Sequence, residues 1–431
     1  MEREQWSSTL GFILASIGSA VGIGNIWRFP YIVGENGGGA FLVPYLIAVF
    51  LFGLPLMVLE LAIGRSTGSS VVSAFRSIRQ RFTVAGLFIV AVVSLILGYY
   101  IVITGWVLAY AFFFALGRPV EFGAFTGSYL PLVFFLLSGL AVYVTVRSGV
   151  REGIERLSRY LIPALFAILL FLVAFSLTEP GAAEGIEFYL SPDLSRLADP
   201  GVWIAAFGQA FFSLSVGMGI MIAFGSYLGK APLFRNATII AVADILVAVL
   251  AGLVIFPLVF TAGLDPAAGV NLAFITLPAA FMEIQYGMLL GALFFLMLFA
   301  AALTSAVSML EVPVATLMDS YGYPRKRATL LVFAAIMLLG LPPALSYTAL
   351  NLEVFGMPFL DLADYAFGTI GLIVAGLIVS IVGGWFLSRT RICTEIDGCG
   401  LQQRAYMALI RYGVPAILLV TLAGNFFWVL G

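Results

Sequence analysis

The chain has no histidine among its 431 residues. Histidine alone titrates near neutrality when unperturbed, so imidazole catalysis, imidazole metal ligation and histidine proton relays are excluded. Cysteine is almost absent: Cys393 and Cys399 share one short polar loop. A structural zinc site would need further ligands nearby, and the plainer reading of the pair is two reduced loop thiols. Charge is scarce at 10%, against about 25% in soluble proteins. That excludes a nucleic-acid binder and a disordered tail protein. The 62% hydrophobic share exceeds what a water-soluble core of this size hides, which excludes a soluble enzyme. Strands of a porin-type barrel alternate and are about 10 residues long, and that pattern is missing too. What remains is an all-α polytopic membrane protein. Met1–Ser8 is short and mixed in charge, so no cleavable signal is expected and the first helix stays.

Hydropathy marks eleven segments: 9–33, 39–63, 84–117, 128–147, 154–177, 200–228, 237–262, 285–317, 328–346, 358–387 and 405–430. The apolar stretch from Asn271 to Phe281 is too short to cross and reads as a hairpin on one mouth. With a cytoplasmic N-terminus, all but three of the 21 Lys and Arg residues fall on the cytoplasmic side; Arg118 and Arg196 lie outside and Arg28 within the membrane. Basic residues in short loops set orientation. The expectation is therefore a multi-pass protein of the cell membrane, N-terminus inside. It forms one transmembrane domain, 1–431.

One motif occurs twice. Val21-Gly-Ile-Gly24 lies in the first segment and Val216-Gly-Met-Gly219 in the sixth, 195 residues apart. Five crossings between the copies invert their orientation, the pointer to an inverted-repeat transporter with broken helices at its site. The repeats would cover about 9–177 and 200–387, with an extra helix at 405–430. A dinucleotide fingerprint fails, because Trp27 stands where the third glycine belongs and no strand precedes it. A close-packed glycine face is the plainer alternative.

Polar side chains inside a membrane are costly and tend to be functional. The first segment offers Ser16, Ser19, Asn25 and Arg28, and the sixth offers Gln209, Ser213 and Ser215. Asp244 stands alone in the seventh; the eighth has Thr304, Ser305, Ser308 and Glu311. Serine and threonine often only bond their own helix. Their convergence on four segments, two of them broken, points to a site for an alkali cation and a solute.

The run Gly22-Ile-Gly-Asn-Ile-Trp-Arg-Phe-Pro30, followed by Glu35-Asn-Gly-Gly-Gly-Ala-Phe41, resembles the neurotransmitter:sodium symporter family, in its prokaryotic amino-acid branch. Gly208–Gly219, Asn271–Pro278 and Ala301–Ser305 resemble it as well, and the likeness runs from Trp6 to about Thr369. The resemblance implies a five-plus-five inverted repeat with helices 1 and 6 broken and about 11 transmembrane helices, the family's usual twelfth being absent. It implies a sodium-coupled symporter that imports a hydrophobic L-amino acid by alternating access, with two Na+ ions and no organic cofactor. A channel or an amino-acid sensor on the same fold is the alternative.

By the same resemblance, sodium site 1 takes Ala20, Asn25, Ser213 and Asp244. Site 2 takes Gly18, Val21, Ala301, Thr304 and Ser305. The substrate carboxylate meets Ile23, Gly24 and Tyr100, and its ammonium meets Ala20, Phe212, Ser213 and Ser215. Gly22 leaves room for a substrate that brings its own carboxylate, where monoamine-transporting relatives carry an aspartate. Ile96, Phe212, Met218, Ser305, Ser308 and Met309 surround the substrate's side chain. Arg28 pairs with Asp364 on the outer side beneath a Phe212 lid; Arg3 pairs with Asp319 on the inner side, covered by Trp6 and Tyr227. Asp244 stands where chloride-dependent relatives have an asparagine and Ala248 where they have a chloride-binding serine, so transport is expected to need no chloride. Tyr45, Gln209 and Ser213 nonetheless resemble chloride ligands. Gly153 and Pro163, with nine residues between them, resemble a spacing that accompanies unwinding of segment five in some prokaryotic relatives.

Overall fold

The computed structural model describes residues 4–191, 193–267, 272–388, 394–395 and 401–430. Arg3, Asn271, Cys393 and Cys399 lie outside them, so the inner ion pair and the thiol loop expected from sequence cannot be placed.

Among the described residues nine helices are long and apolar enough to cross a membrane. In chain order they are span 2 (Gly38–Thr67), span 3 (Gln80–Ala115), span 4 (Leu130–Arg147), span 5 (Val150–Ser176), span 7 (Leu233–Thr261), span 8 (Gly287–Tyr321), span 9 (Arg325–Leu345), span 10 (Phe359–Phe386) and span 11 (Arg404–Asn425). Span 1 is a pair, Thr9–Ala20 and Gly24–Glu35, bent by 50°. Span 6 is also a pair, Pro200–Ser213 and Ile220–Ser226. The eleven spans match the hydropathy segments within a few residues, and both breaks fall on the repeated Val-Gly-X-Gly motif. This is the five-plus-five inverted-repeat transporter fold. The apolar stretch before span 8 holds a short helix, Thr276–Glu283.

The outer faces of the spans are apolar and exposed. Span 4 presents Leu130, Val133, Leu137, Leu140 and Val144 at three- and four-residue spacing, a continuous stripe that only lipid accommodates. The inner faces rely on small residues for close approach. A Cβ on Gly105 would come within 2.8 Å of the span 4 backbone at Phe134, and one on Gly64 within 2.0 Å of the Ile222 carbonyl. Glycine here is a packing requirement, as it is wherever helices meet without a hydrophobic drive between them.

The breaks have local causes. In span 1 the helix stops at Ala20 and Val21 turns extended. In span 6, Ser215, Gly217 and Gly219 all have positive φ, at 52°, 85° and 73°. Such backbone suits glycine and strains serine, so this turn cannot continue a right-handed helix. The amide freed at Gly217 is not orphaned: it donates to Glu60 Oε1 of span 2 at 2.6 Å. The sequence reading missed Glu60, a lone acid between Leu59 and Leu61 in span 2.

Candidate functional site

The two breaks face each other in the centre of the molecule, with spans 3 and 8 on either side. Between them lies a narrow cavity, lined by Ser19, Ala20, Gly22, Gly24, Tyr100, Phe212, Ser215, Met218, Ser305 and Met309. Nine of these ten were expected at the site; Ser19 was singled out only as a polar residue of its segment. Ile96 and Ser308 are buried but do not line the cavity. The Ser308 hydroxyl is turned back onto its own helix, donating to the Thr304 and Ser305 carbonyls.

The polar groups sort into two clusters. In the first, Asn25 Nδ2 donates to Ser213 Oγ at 2.8 Å, to Asp244 Oδ1 at 2.7 Å and to the Asp244 carbonyl at 3.2 Å. Ser213 donates to Asp244 Oδ2 at 2.8 Å, and the Tyr45 hydroxyl lies 3.4 Å from the same oxygen. Asn25 Oδ1 accepts from the Gly22 amide at 3.0 Å. Three segments thus bring an amide, a hydroxyl and a carboxylate to one buried point. These hydrogen bonds close the cluster on itself.

In the second cluster acceptors outnumber donors. The Ser305 hydroxyl lies 3.3, 3.1 and 3.2 Å from the carbonyls of Gly18, Ser19 and Val21. One hydroxyl hydrogen cannot satisfy three acceptors. Ser19 O also receives Ser215 Oγ at 2.9 Å, which leaves Gly18 and Val21 short of a donor. Thr304 Oγ1 lies 3.0 Å from the Ala301 carbonyl, adding two more oxygens. Ala301, Thr304 and Ser305 are all buried. Under-donated oxygen in a dry place is the chemistry of a hard-cation site, and the five expected ligands of sodium site 2 are these atoms.

The Tyr100 hydroxyl receives the Ile23 amide at 3.3 Å, so a ring oxygen caps the backbone freed at the first break. There is no space for a side chain at Gly22: a Cβ would stand 2.6 Å from Ser305 Oγ and 2.9 Å from the Tyr100 hydroxyl. Gly24 is equally confined, 2.9 Å from the Phe212 ring.

The outer closure differs from the expectation. Arg28 makes no ion pair with Asp364 in this structure. Its guanidinium lies 4.7 Å from the Phe212 ring centre and donates to Gln209 Oε1 at 3.0 Å. Gln209 Nε2 donates in turn to the Gly24 carbonyl at 2.8 Å. The reason is geometric: span 6 offers a neutral acceptor and a ring face on the first break, whereas the Asp364 carboxylate crowds Gly368 beside the Tyr99 hydroxyl. Gln209 is thereby drawn away from the Asp244 cluster that its chloride-ligand likeness suggested.

On the face that carries the N-terminus, Trp6 is 7% exposed and donates Nε1 to the Phe224 carbonyl at 3.0 Å. Its ring packs edge-on against Phe224 and Tyr227; the Arg3–Asp319 pair that Trp6 and Tyr227 were expected to cover includes Arg3, outside the described residues. Asp319 accepts from the Ser70 amide at 2.6 Å. Beneath Trp6 lies a charge network that sequence reasoning did not assemble. Arg325 donates to Glu311 Oε2 and Oε1 at 2.8 and 2.9 Å, and to Glu4 Oε1 at 2.6 Å. The Tyr227 hydroxyl donates to Glu311 Oε1 at 2.6 Å. The signal was available in Glu311, an acid inside an apolar span that requires a cation; its partner lies fourteen residues on, across a turn.

The sodium:neurotransmitter symporter family model matches residues 3–129 and 130–428. The chain is 38% identical over 424 residues to an uncharacterised sodium-dependent transporter of Methanocaldococcus jannaschii, covering 92% of this chain and 85% of that protein. It is 36% identical to a sodium-dependent transporter of Bacillus subtilis, over 96% of both chains. To the sodium- and chloride-dependent taurine transporter of Rattus norvegicus it is 33% identical, over 79% of this chain and 65% of that protein. Among solved structures it resembles MhsT in complex with L-phenylalanine, with a TM-score of 0.91, 41% identity and coverage of 98% and 100%.

Proposed function

The chain belongs to the sodium:neurotransmitter symporter family, a family of sodium-dependent membrane transporters and not of enzymes, and from that premise we propose that it imports a hydrophobic L-amino acid by alternating access, coupled to two sodium ions and independent of chloride. The observation that carries the reading is the central cavity between the two breaks, lined by freed backbone and hydroxyls together with Met218, Met309 and Phe212. A zwitterion needs the polar groups and an apolar side chain the others. Methionine is unbranched and polarizable, so two of them make a pliant apolar surface. The likeness to MhsT, solved with L-phenylalanine, supports that substrate class.

The proposed roles follow from the groups in place. The substrate carboxylate lies against the Ile23 and Gly24 amides and the Tyr100 hydroxyl, at a helix start that favours an anion. Its ammonium faces the carbonyls of Ala20, Phe212 and Ser213 and the Ser215 hydroxyl. Asn25, Ser213, Asp244 and the Ala20 carbonyl take one sodium. The carbonyls of Gly18, Val21 and Ala301 with Thr304 and Ser305 take the other, which supplies the charge that the surplus acceptors lack. Arg28 and Phe212 close the outer side and Asp364 joins them during the cycle, while Trp6, Tyr227, Glu311, Arg325 and the Arg3–Asp319 pair close the inner side. A protein of this kind resides in the cell membrane with its N-terminus in the cytoplasm, as the loop arginines favour; the whole chain, 1–431, acts as one transporter domain.

The test is uptake of labelled leucine, phenylalanine and tryptophan into proteoliposomes under an inward sodium gradient. Concentrative uptake that collapses in potassium or choline is expected. Uptake undiminished without sodium, or mere equilibration down the solute's own gradient, would overturn the reading, the latter in favour of a pore.

A further inference from the structure

Four of the described arginines on the N-terminal face pair with a carboxylate. Arg65 pairs with Glu395, Arg156 with Glu152, Arg159 with Glu155, and Arg325 with Glu4 and Glu311. Arg79 and Arg81 have none among the described residues. They are nevertheless gathered at one spot: the Arg79 guanidinium lies 4.7 Å and that of Arg81 5.6 Å from the centre of the same Phe386 ring. Arg81 is also 5.2 Å from the Phe82 ring, and the Phe82 and Phe386 rings meet at 4.9 Å. The two cations are thus at most about 10 Å apart, close to a Debye length at physiological salt, and neither forms an ion pair with an acid among the described residues. Stacking on a ring holds a guanidinium in place but leaves the repulsion uncompensated.

What lies beside them says what compensates it. Span 3 starts at this point, and Val84, Leu87 and Phe88, at 73%, 44% and 38% exposure, continue one stripe of that helix upward from Arg81. Trp385 adjoins Phe386, is 49% exposed, and meets Tyr412 edge-on at 5.3 Å. Interfacial aromatic residues of this kind mark the headgroup level. A paired positive head above an apolar stripe and beside an interfacial tryptophan has the outline of a phospholipid, and the unpaired charge selects an anionic one.

We propose that Arg79 and Arg81, with the Phe82 and Phe386 rings between them, bind the headgroup phosphate of an anionic phospholipid whose chains lie along Val84, Leu87 and Phe88. The site ties the start of span 3 to the end of span 10, and it stands or falls separately from the identity of the transported solute.

Protein in phosphatidylcholine-detergent micelles is titrated with phosphatidylglycerol, with retained lipid counted by native mass spectrometry and stability read as Tm. The wild type is expected to retain phosphatidylglycerol selectively, with a saturable rise in Tm. At about 1 kcal/mol per arginine near the surface, Arg79→Gln and Arg81→Gln should each raise the midpoint about fivefold and the double variant roughly thirtyfold. Their Tm in phosphatidylcholine alone should stay that of the wild type. Arg147→Gln with Arg327→Gln is the control: these exposed arginines lie on the same face, each over its own tyrosine ring, and the control should titrate like the wild type. An Arg79/Arg81 variant that titrates like the wild type overturns the proposal. So does an equal loss in the control, which would mean diffuse surface charge, or displacement of the lipid by inorganic phosphate at matched concentration, which would mean a site for free anions.

Discussion

Glu311 takes both terminal nitrogens of Arg325, at 2.8 and 2.9 Å, with the acid side chain wholly buried and the arginine 10% exposed. The pair joins span 8 to span 9 and, through Tyr227 and Glu4, to the end of span 6 and the N-terminal segment. It lies under Trp6 on the face that carries the N-terminus, and not at the cavity.

The first prediction follows from that burial. Removing one partner of a buried pair leaves an uncompensated charge, at a cost of about 3–5 kcal/mol, whereas removing both is far milder. Arg325→Gln is therefore expected to lower Tm in detergent and to abolish concentrative uptake. Glu311→Gln combined with Arg325→Gln should recover most of the Tm but not the uptake, because the seal then lacks its ionic clamp. A double variant as unstable as the single would contradict the assignment.

Gly22 supplies the second prediction. Its missing Cβ leaves the space between Ser305 Oγ and the Tyr100 hydroxyl, and both groups are held there by the freed backbone of span 1. Gly22→Ala should fold normally yet weaken sodium-dependent amino-acid binding by at least about tenfold, or 1.4 kcal/mol. Scintillation-proximity binding reads the loss, and Ser305→Ala in the same background should not restore it if Tyr100 is the harder wall.

Span 5 gives the third. Its inner end, Val150–Glu155, winds as a π-helix before the α-helix resumes at Arg156, and Gly153 sits where a Cβ would come 1.9 Å from the Thr145 carbonyl. Pro163, further along, donates no backbone hydrogen bond. A wide, weakly bonded turn is the place for this span to unwind and let water reach the second cation cluster. With Gly153 and Pro163 both replaced by alanine, equilibrium binding should persist while turnover slows. Unchanged turnover would remove the idea.

The sequence made some of this legible and hid the rest for physical reasons. Hydropathy finds spans because lipid tolerates only apolar outer faces, and the doubled Val-Gly-X-Gly found the breaks because its backbone leaves the helix locally, by an extended Val21 in span 1 and by positive φ at Gly217 and Gly219 in span 6. Asn25, Ser213 and Asp244 stood out as polar residues in apolar runs. The partner of Arg28 was not legible: the choice between Gln209 and Asp364 depends on how spans 6 and 10 pack against span 1, which no single segment records. Glu4 and Arg325, 321 residues apart, meet only because the N-terminal segment folds back under spans 8 and 9. Glu60 was legible and overlooked, a lone acid in an apolar helix whose use became plain only with the freed Gly217 amide beside it.

The last prediction concerns chloride. Asp244 Oδ2 accepts from Ser213 at 2.8 Å and faces the Tyr45 hydroxyl at 3.4 Å. The hydroxyls that resemble anion ligands therefore already address a carboxylate. Ala248, one turn on and fully buried, brings no donor, and Gln209 is committed to Arg28 and Gly24. A chloride at this point would sit beside a fixed negative charge in a dry interior, where like charges repel strongly, and it would find few donors left. The carboxylate instead supplies permanently the charge that balances sodium and the substrate ammonium. Wild-type uptake at constant sodium is therefore expected to be unchanged when gluconate replaces chloride. Asp244→Asn keeps the shape but loses that charge, so its uptake should fall in gluconate and recover, at least in part, when chloride is restored. Chloride-dependent uptake by the wild type would refute the claim. An Asp244→Asn variant as active as the wild type in gluconate would show that this carboxylate is not the compensating charge.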